Sequence, residues 1–340
     1  MRFGLFVPQG WRLDLVGIDP AEQWAVMRDV ARRADAGPWE SVWVYDHFHT
    51  VPQPTDEACH EAWTLMAALG AVTERVRLGQ MCTCMAYRNP AYLAKVAATI
   101  DHVSGGRIEM GIGGGWYEHE WRAFGYGFPP TGERLGRLRD GVEIFRQMWT
   151  KGIATHHGKY YTVDGAIGQP LPLQGTVKPG SAANGIPMWV AGGGEKVTLR
   201  IAAEYADYTN FGPTLDEFRS KSEILAGHCK DVGRDFGSIV RSVNYNVVIG
   251  ETEKDVQDRL AWIEDSYRKA GLSDAAVRAQ VHNFRGGPAV GTPEQILEAL
   301  KDFEKAGMTY CITNFREAAY DTSGMELFES AVIPELQGNA

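Results

Sequence analysis

A histidine pair stands in Asp46-His47-Phe48-His49, directly after the strand-like run Ser41-Val-Trp-Val-Tyr45. Imidazole is the side chain that exchanges protons near neutral pH, and an adjacent carboxylate can fix its charge or orientation. A histidine is more often a packed structural residue than a catalyst, and it is the strand-end position that brings proton transfer or cofactor contact by His47 into view. A second feature is the run Gly192-Gly193-Gly194, followed by Glu195, Lys196 and Thr198. A glycine turn between a strand and a helix leaves backbone N–H groups able to approach an anion, and the helix dipole favours negative charge there. Thr198 adds a hydroxyl and Lys196 a charge, so a phosphate site is the expectation; a tight turn without ligand is the plainer alternative. Gly111-Ile-Gly113-Gly-Gly115 nearly matches a dinucleotide fingerprint, but Trp116 takes the sixth place. Such backbone is expected to leave room for something flat or bulky, and Trp116 and Tyr117 are the aromatics best placed to line a substrate pocket.

Other arrangements carry less. Met81-Cys82-Thr83-Cys84 contains a C-x-C pair, but two cysteines do not complete a zinc site, and packed thiols are the better reading. The H-x-H string also suggests a metal-dependent hydrolase, which needs further ligands converging from other strand ends. The remaining histidines, at 60, 102, 119, 156, 157, 228 and 282, do not fall at the ends of the later strands. Glu118, Glu120 and Arg122 are expected to hold their loop by ion pairs, and Trp11, Trp39, Trp43, Trp63 and Trp121 to pack. No serine nucleophile elbow, Walker loop or catalytic carboxylate pair is present.

The elements that position these residues alternate along the chain. Strand-like runs occur at 2–7, 41–45, 76–82, 107–113, 187–191, 207–211, 239–250 and 310–314. Helices follow from Asp19-Pro20, over 62–72, from Asn89-Pro90 to Val103, from Thr131, through Ala203, from the capping box Thr214–Glu217, from Thr252 and from the capping box Thr292–Gln295. A terminal helix is expected near Met325–Pro334. Eight strands separated by helices are the pattern of parallel βαβ units, and eight repeats point to a closed (β/α)8 barrel, a TIM barrel, more than to an open doubly wound sheet. In a parallel barrel the reactive residues lie at the C-terminal ends of strands, which is where the motifs above stand. The excess length falls at 116–130 and at Lys151–Gly185, a Gly/Pro-rich stretch that reads as an inserted hairpin and loop. With no compositional break, residues 1–340 read as one domain.

The composition is that of a globular protein: 340 residues, 44% hydrophobic, 23% charged, formal charge −9. An acidic balance argues against nucleic-acid binding, which needs surplus Lys and Arg. No apolar run approaches the length of a membrane span, and the N-terminus enters a strand without a signal-peptide pattern. Five cysteines, an odd number, fit a reducing compartment, so a soluble cytoplasmic protein is expected.

Taken in order, Asp46-His47-Phe48, Tyr87-Arg-Asn-Pro-Ala91, Ser104-Gly-Gly-Arg107, Gly111-Ile-Gly-Gly-Gly-Trp116 with Glu120 and Phe124-Gly125, Gly192-Gly-Gly-Glu195 with Thr198-Leu-Arg200, and Gly291-Thr-Pro-Glu294 resemble the luciferase-like monooxygenase superfamily, particularly its deazaflavin (coenzyme F420) oxidoreductases. The resemblance spans nearly the whole chain. It implies a TIM barrel with a flavin or deazaflavin at its C-terminal mouth, a small-molecule substrate and a homodimer. Gly192, Gly193, Gly194 and Thr198 would hold the cofactor phosphate. Met81, Cys82 and Thr83 match a bulge behind the ring that in relatives often contains a cis non-proline peptide. Asp46 and His47 match positions facing the ring, with His47 the proton-transfer residue, and Gly111 and Gly113 would permit close approach. Where the deazaflavin-dependent sugar-6-phosphate dehydrogenases carry a catalytic Glu, this chain has Trp116, which puts sugar-phosphate oxidation in doubt and implies a more aromatic pocket. The implied activity is hydride transfer between coenzyme F420 and an organic substrate. The alternative is an FMN-dependent monooxygenase using oxygen and a separate reductase; remoter ones are the metal hydrolase and a flavin-free ligand-binding barrel.

Overall fold

The computed structural model describes residues 1–174 and 185–338. In chain order the elements are β1 (Arg2–Phe6), α1 (Pro20–Ala36), β2 (Ser41–Val44), α2 (Ala62–Val72), β3 (Arg77–Gln80), β4 (Thr83–Cys84), α3 (Pro90–Val103), β5 (Ile108–Gly113), α4 (Glu118–Ala123) and α5 (Thr131–Lys151). There follow β6 (Ile153–His157), β7 (Thr162–Ile167), β8 (Met188–Ala191), α6 (Thr198–Tyr205), β9 (Tyr208–Asn210), α7 (Leu215–Val232), β10 (Val240–Asn246) and β11 (Val248–Ile249). The chain ends with α8 (Glu253–Lys269), α9 (Asp274–Arg285), β12 (Val290–Gly291), α10 (Pro293–Lys305), β13 (Tyr310–Asn314), α11 (Ser323–Ala331) and α12 (Ile333–Gln337). The alternation of parallel strands with helices is that of a (β/α)8 barrel. Among the described residues no helix is long and apolar enough to cross a membrane.

Contacts group the chain into two compact units. The first holds Met1–Glu61, Pro213–Phe218 and the chain from Ser242 onward. Its parallel strands run in the order β2-β1-β13-β10, with Gly4 opposite Ser41, Arg2 opposite Tyr310 and Asn246 opposite Asn314. Its helices start where the sequence places their caps. Asp19 accepts a hydrogen bond from the Ala21 N–H at 2.9 Å, and the capping boxes at Thr252 and Thr292 are both formed. Leu260, Ile263 and Tyr267 of α8 pack with Val277, Val281 and Phe284 of α9 around the buried Leu13. A second aromatic cluster joins Phe3, Trp39 and Phe315 to Phe328.

The second unit comprises Ala62–Gly212 and Arg219–Arg241. Here β5 pairs with β3, β4 and β8, and β8 with β9. Arg107 ties the turn before β3 together, donating to the carbonyls of Gly70, Thr73 and Val76 at 2.9, 2.6 and 2.7 Å. Buried Glu109 accepts from the Trp189 indole at 2.7 Å and pairs with Arg77. The expected inserted hairpin is present as the antiparallel pair β6–β7; the loop beyond it, at 175–184, lies outside the described residues.

Three expected elements differ. The strand expected over 239–250 divides at Val247, because β10 hydrogen-bonds to β13 whereas β11 turns to β12, with Val248 N–H donating to Ala289 O at 3.0 Å. The strand expected over 76–82 stops at Gln80, and β4 begins only at Thr83. The terminal helix is two pieces, α11 and α12, with the break at Val332, ahead of Pro334. Helix α9 was not expected; Ser273 caps it and its apolar face faces α8.

Candidate functional site

In the first unit, the side chains at the C-terminal ends of β1 and β2 form one cluster. Gln9, fully buried, donates to Tyr45 O at 2.8 Å and His60 O at 2.6 Å and accepts from Tyr45 N–H at 2.7 Å. It thereby fixes the backbone immediately before Asp46 and His47. The His47 imidazole lies flat on the Trp11 indole, centroids 4.3 Å apart and planes 4° from parallel. Trp11 in turn leans on Tyr45 at 4.2 Å, and Tyr45 stacks on Phe6 at 4.1 Å. His47 is half-buried and Asp46 buried. The Cys59 thiol donates to the His47 carbonyl at 3.3 Å, holding the loop from the other side.

Arg12, which sequence reading did not single out, belongs to the same cluster. Its Nε donates to the Tyr45 hydroxyl and its Nη1 to Asn246 Oδ1, each at 3.0 Å. Asn246 Oδ1 also accepts from Asn314 Nδ2 at 3.2 Å. The strand ends of β1, β2, β10 and β13 are thus linked by side chains. The signal for Arg12 was its place two residues beyond Gly10 in a strand-end loop.

In the second unit, the segment Met81-Cys82 leads into β4, which pairs with β5, the strand that carries Gly111 and Gly113. The Met81–Cys82 peptide is cis, as the family resemblance implies. Thr83 is opposite Ile112 and Cys84 opposite Gly113 across β4–β5, and Thr83 Oγ1 donates to Gln80 Oε1 at 2.7 Å. The space before Gly113 belongs to Cys82, whose Sγ would stand 2.7 Å from a Cβ there; Cys84 Sγ does the same for Gly115 at 2.5 Å. Trp116 is 60% exposed and stacked at 5.2 Å on Tyr117, which is buried. Glu118 forms the expected ion pair with Arg122 at 2.7 Å, whereas Glu120 is buried and accepts from the Tyr87 hydroxyl at 2.8 Å.

Gly192, Gly193 and Gly194 lie between β8 and α6, with Gly192 at φ +114°, a conformation that only glycine adopts without strain. Gly192 N–H donates to Asn210 O at 2.9 Å. The next three N–H groups, of Gly193, Gly194 and Glu195, donate to no acceptor among the described residues. A Cβ on Gly194 would stand 2.7 Å from Thr198 Oγ1, so the buried Thr198 hydroxyl faces the turn. No side chain caps α6. The charge expected from Lys196 is accompanied by one that sequence proximity did not show: Lys221 of α7 lies along the turn, its Cε 3.4 Å from a Gly193 Cβ and its Nζ 2.6 Å from Glu195 Oε1. That pair holds the exposed Glu195 carboxyl below its ordinary range. His228 Nε2 bonds Glu195 O at 2.7 Å. An open turn of unpaired N–H groups with a hydroxyl and an ammonium beside it has the donor set of an oxyanion cradle.

Among the described residues no group of three or more His, Cys, Asp or Glu side chains is placed to hold a metal ion. A cavity of about 500 Å³ in the first unit, bordered by α8 and by Glu317, Asp321 and Ser323, contains none of the residues discussed above.

The chain belongs to the luciferase-like monooxygenase family, whose model matches residues 1–310. It is 26% identical over 339 residues to an F420-dependent glucose-6-phosphate dehydrogenase of Nocardia farcinica, covering 92% of this chain and 94% of that one. It is 25% identical over 334 residues to the pyrimidine monooxygenase RutA of Allorhizobium ampelinum, covering 94% and 85%. Among solved structures it is similar to an F420-dependent secondary alcohol dehydrogenase in complex with an F420-acetone adduct, with a TM-score of 0.75 at 20% identity over 98% of both chains. The protein is an oxidoreductase of the luciferase-like class.

Proposed function

We propose that the protein transfers a hydride between coenzyme F420 and a small organic substrate. The observation that carries the reading is the cradle at Gly193–Glu195, where unpaired N–H groups, Thr198 and Lys221 fit the cofactor's phosphate. The likeness to F420-dependent dehydrogenases across nearly the whole chain supports the deazaflavin over other phosphorylated ligands. When bound, the reduced deazaflavin supplies a hydride from one ring carbon. The chain's own part is to bind the phosphate, orient the ring and move one proton. His47 holds or releases that proton at an imidazole nitrogen, its ring plane fixed by Trp11 and its backbone by Gln9 through Tyr45. Asp46 and the segment Met81-Cys82-Thr83 with Gly111 would meet the ring, and Gly113 gives the Cys82 thiol its space. Trp116 and Tyr117 line the substrate side. The homodimer that the resemblance implies is part of the same proposal, and light scattering tests it.

A second reading, an FMN-dependent monooxygenase drawing on a separate reductase, is favoured by the likeness to RutA. Titrating the purified apoprotein with F420 and, separately, with FMN decides between the two. Micromolar or tighter binding of F420 alone supports the deazaflavin reading; preference for FMN overturns it in favour of the second.

A further inference from the structure

We infer that Arg12 anchors an anionic group of the substrate, a carboxylate or a phosphate, beside the Trp11–Tyr45–His47 cluster. The inference rests on reading that cluster as the reaction site. Arg12 is half-buried, and its guanidinium is held by two neutral acceptors, the Tyr45 hydroxyl at Nε and Asn246 Oδ1 at Nη1. Its carbon Cζ lies 5.1 Å from the ring centroids of both Trp11 and Tyr45. No carboxylate lies within ion-pair distance of it, and Nη2 donates to nothing, among the described residues. An arginine whose plane is set by two hydrogen bonds while its Nη2 stays unpaired is prepared to donate to an oxyanion. The Trp11 indole N–H, buried beside it, also meets no acceptor among the described residues. Asp14, two residues on, makes no ion pair with Arg12 and accepts from Gly10 N–H at 2.6 Å.

The backbone is held to this purpose. Leu13, next to Arg12, has φ +60° and is the one non-glycine residue with positive φ among those described. Such a conformation persists only where surrounding structure enforces it. Buried Arg316 does so, donating from Nη1 to Arg12 O and from Nη2 to Leu13 O at 3.0 Å, with its Nε on Ser266 Oγ at 3.1 Å. Tyr267 lies under its guanidinium at 3.8 Å. Arg316 is therefore a positioning residue, and Arg12 the group it presents.

The test is calorimetric titration of the apoprotein with benzoate and with inorganic phosphate, for the wild type, Arg12→Met and Arg12→Lys. For the phosphate titrations Gly193→Val is added to every protein so that the phosphate cradle does not contribute, and F420 is titrated in parallel into the proteins that keep Gly193. The wild type should bind at least one of the two anions. Arg12→Met should weaken that binding at least tenfold, Arg12→Lys should weaken it less, and F420 affinity should stay within about twofold. Failure of the wild type to bind either anion, or equal binding by Arg12→Met, overturns the inference. An equal loss of F420 affinity also overturns it, because the anion met by Arg12 is then the cofactor's. Binding of the anion through Arg12 in a protein that binds no F420 leaves the inference standing and removes the cofactor reading instead.

Discussion

The Cys82 thiol occupies the place that a side chain on Gly113 would take, 2.7 Å from where its Cβ would stand. Cys82 follows the cis peptide and Gly113 closes β5, so the close fit packs the end of one strand against the segment after another. Gly113→Ala should therefore destabilise the protein by about 1–3 kcal/mol, the usual range for overpacking a filled interior. Adding Cys82→Ala should restore most of the loss, since the clash is with sulfur. Urea denaturation of the two single variants and the double variant measures this. Additive losses in the double variant would show that the thiol is not what excludes a side chain.

His47→Ala should lower turnover by about 10²–10⁴-fold, the range for losing a positioned acid–base group. Cofactor affinity should change little, because the phosphate cradle stands in the other unit on its own hydrogen bonds. The comparison is kcat against the Kd from cofactor fluorescence. An unchanged kcat removes His47 from proton transfer.

Much of the fold was legible because local signals stated it. Asp19-Pro20 and Asn89-Pro90 each placed a helix start, and Asn89 Oδ1 accepts from Ala91 and Tyr92 N–H groups. The division of 239–250 was hidden because alternating apolar residues are the same whether a strand keeps one partner or changes to another at Val247. The site was legible where its parts are contiguous, as in Asp46-His47 and Gly192–Gly194. Lys221 was not, since it reaches Gly193 from a helix nearly thirty residues along, and only tertiary packing makes them neighbours. Gly113 illustrates a different limit. Sequence shows that a side chain is absent, but whether the space serves a ligand or a neighbouring thiol depends on three-dimensional packing.

Gly193→Val should weaken cofactor binding by at least tenfold. Its Cβ would meet the Lys221 side chain at 3.4 Å, a contact the flexible chain can relieve, so the melting temperature should move by only a few degrees. The branched side chain would nonetheless project into the turn where the N–H groups are open. Lys221→Met should give a smaller loss that shrinks as ionic strength rises. Thermal melts and fluorescence titrations of both variants check this. Undiminished affinity in Gly193→Val would remove the phosphate assignment.

Glu317 gives the stability a pH dependence of unusual sign for a carboxylate paired with arginine. Its side chain is 5% exposed, Oε1 is 3.3 Å from Arg259 Nη1, and Oε2 is buried with no partner among the described residues. Burial outweighs the arginine and pushes its pKa from 4.5 up to about 7. Between those values the folded state holds a proton that the unfolded chain has released, so this residue lowers stability as pH rises through that window, and the full penalty is present above about pH 7. Glu317→Gln keeps an acceptor for Arg259 and carries no charge. The variant should match the wild type near pH 4.5 and exceed it by about 1–3 kcal/mol at pH 8. Urea denaturation across that range reads the difference directly. Parallel stability profiles for the two proteins would show that the Glu317 carboxyl ionises as freely in the fold as in the unfolded chain.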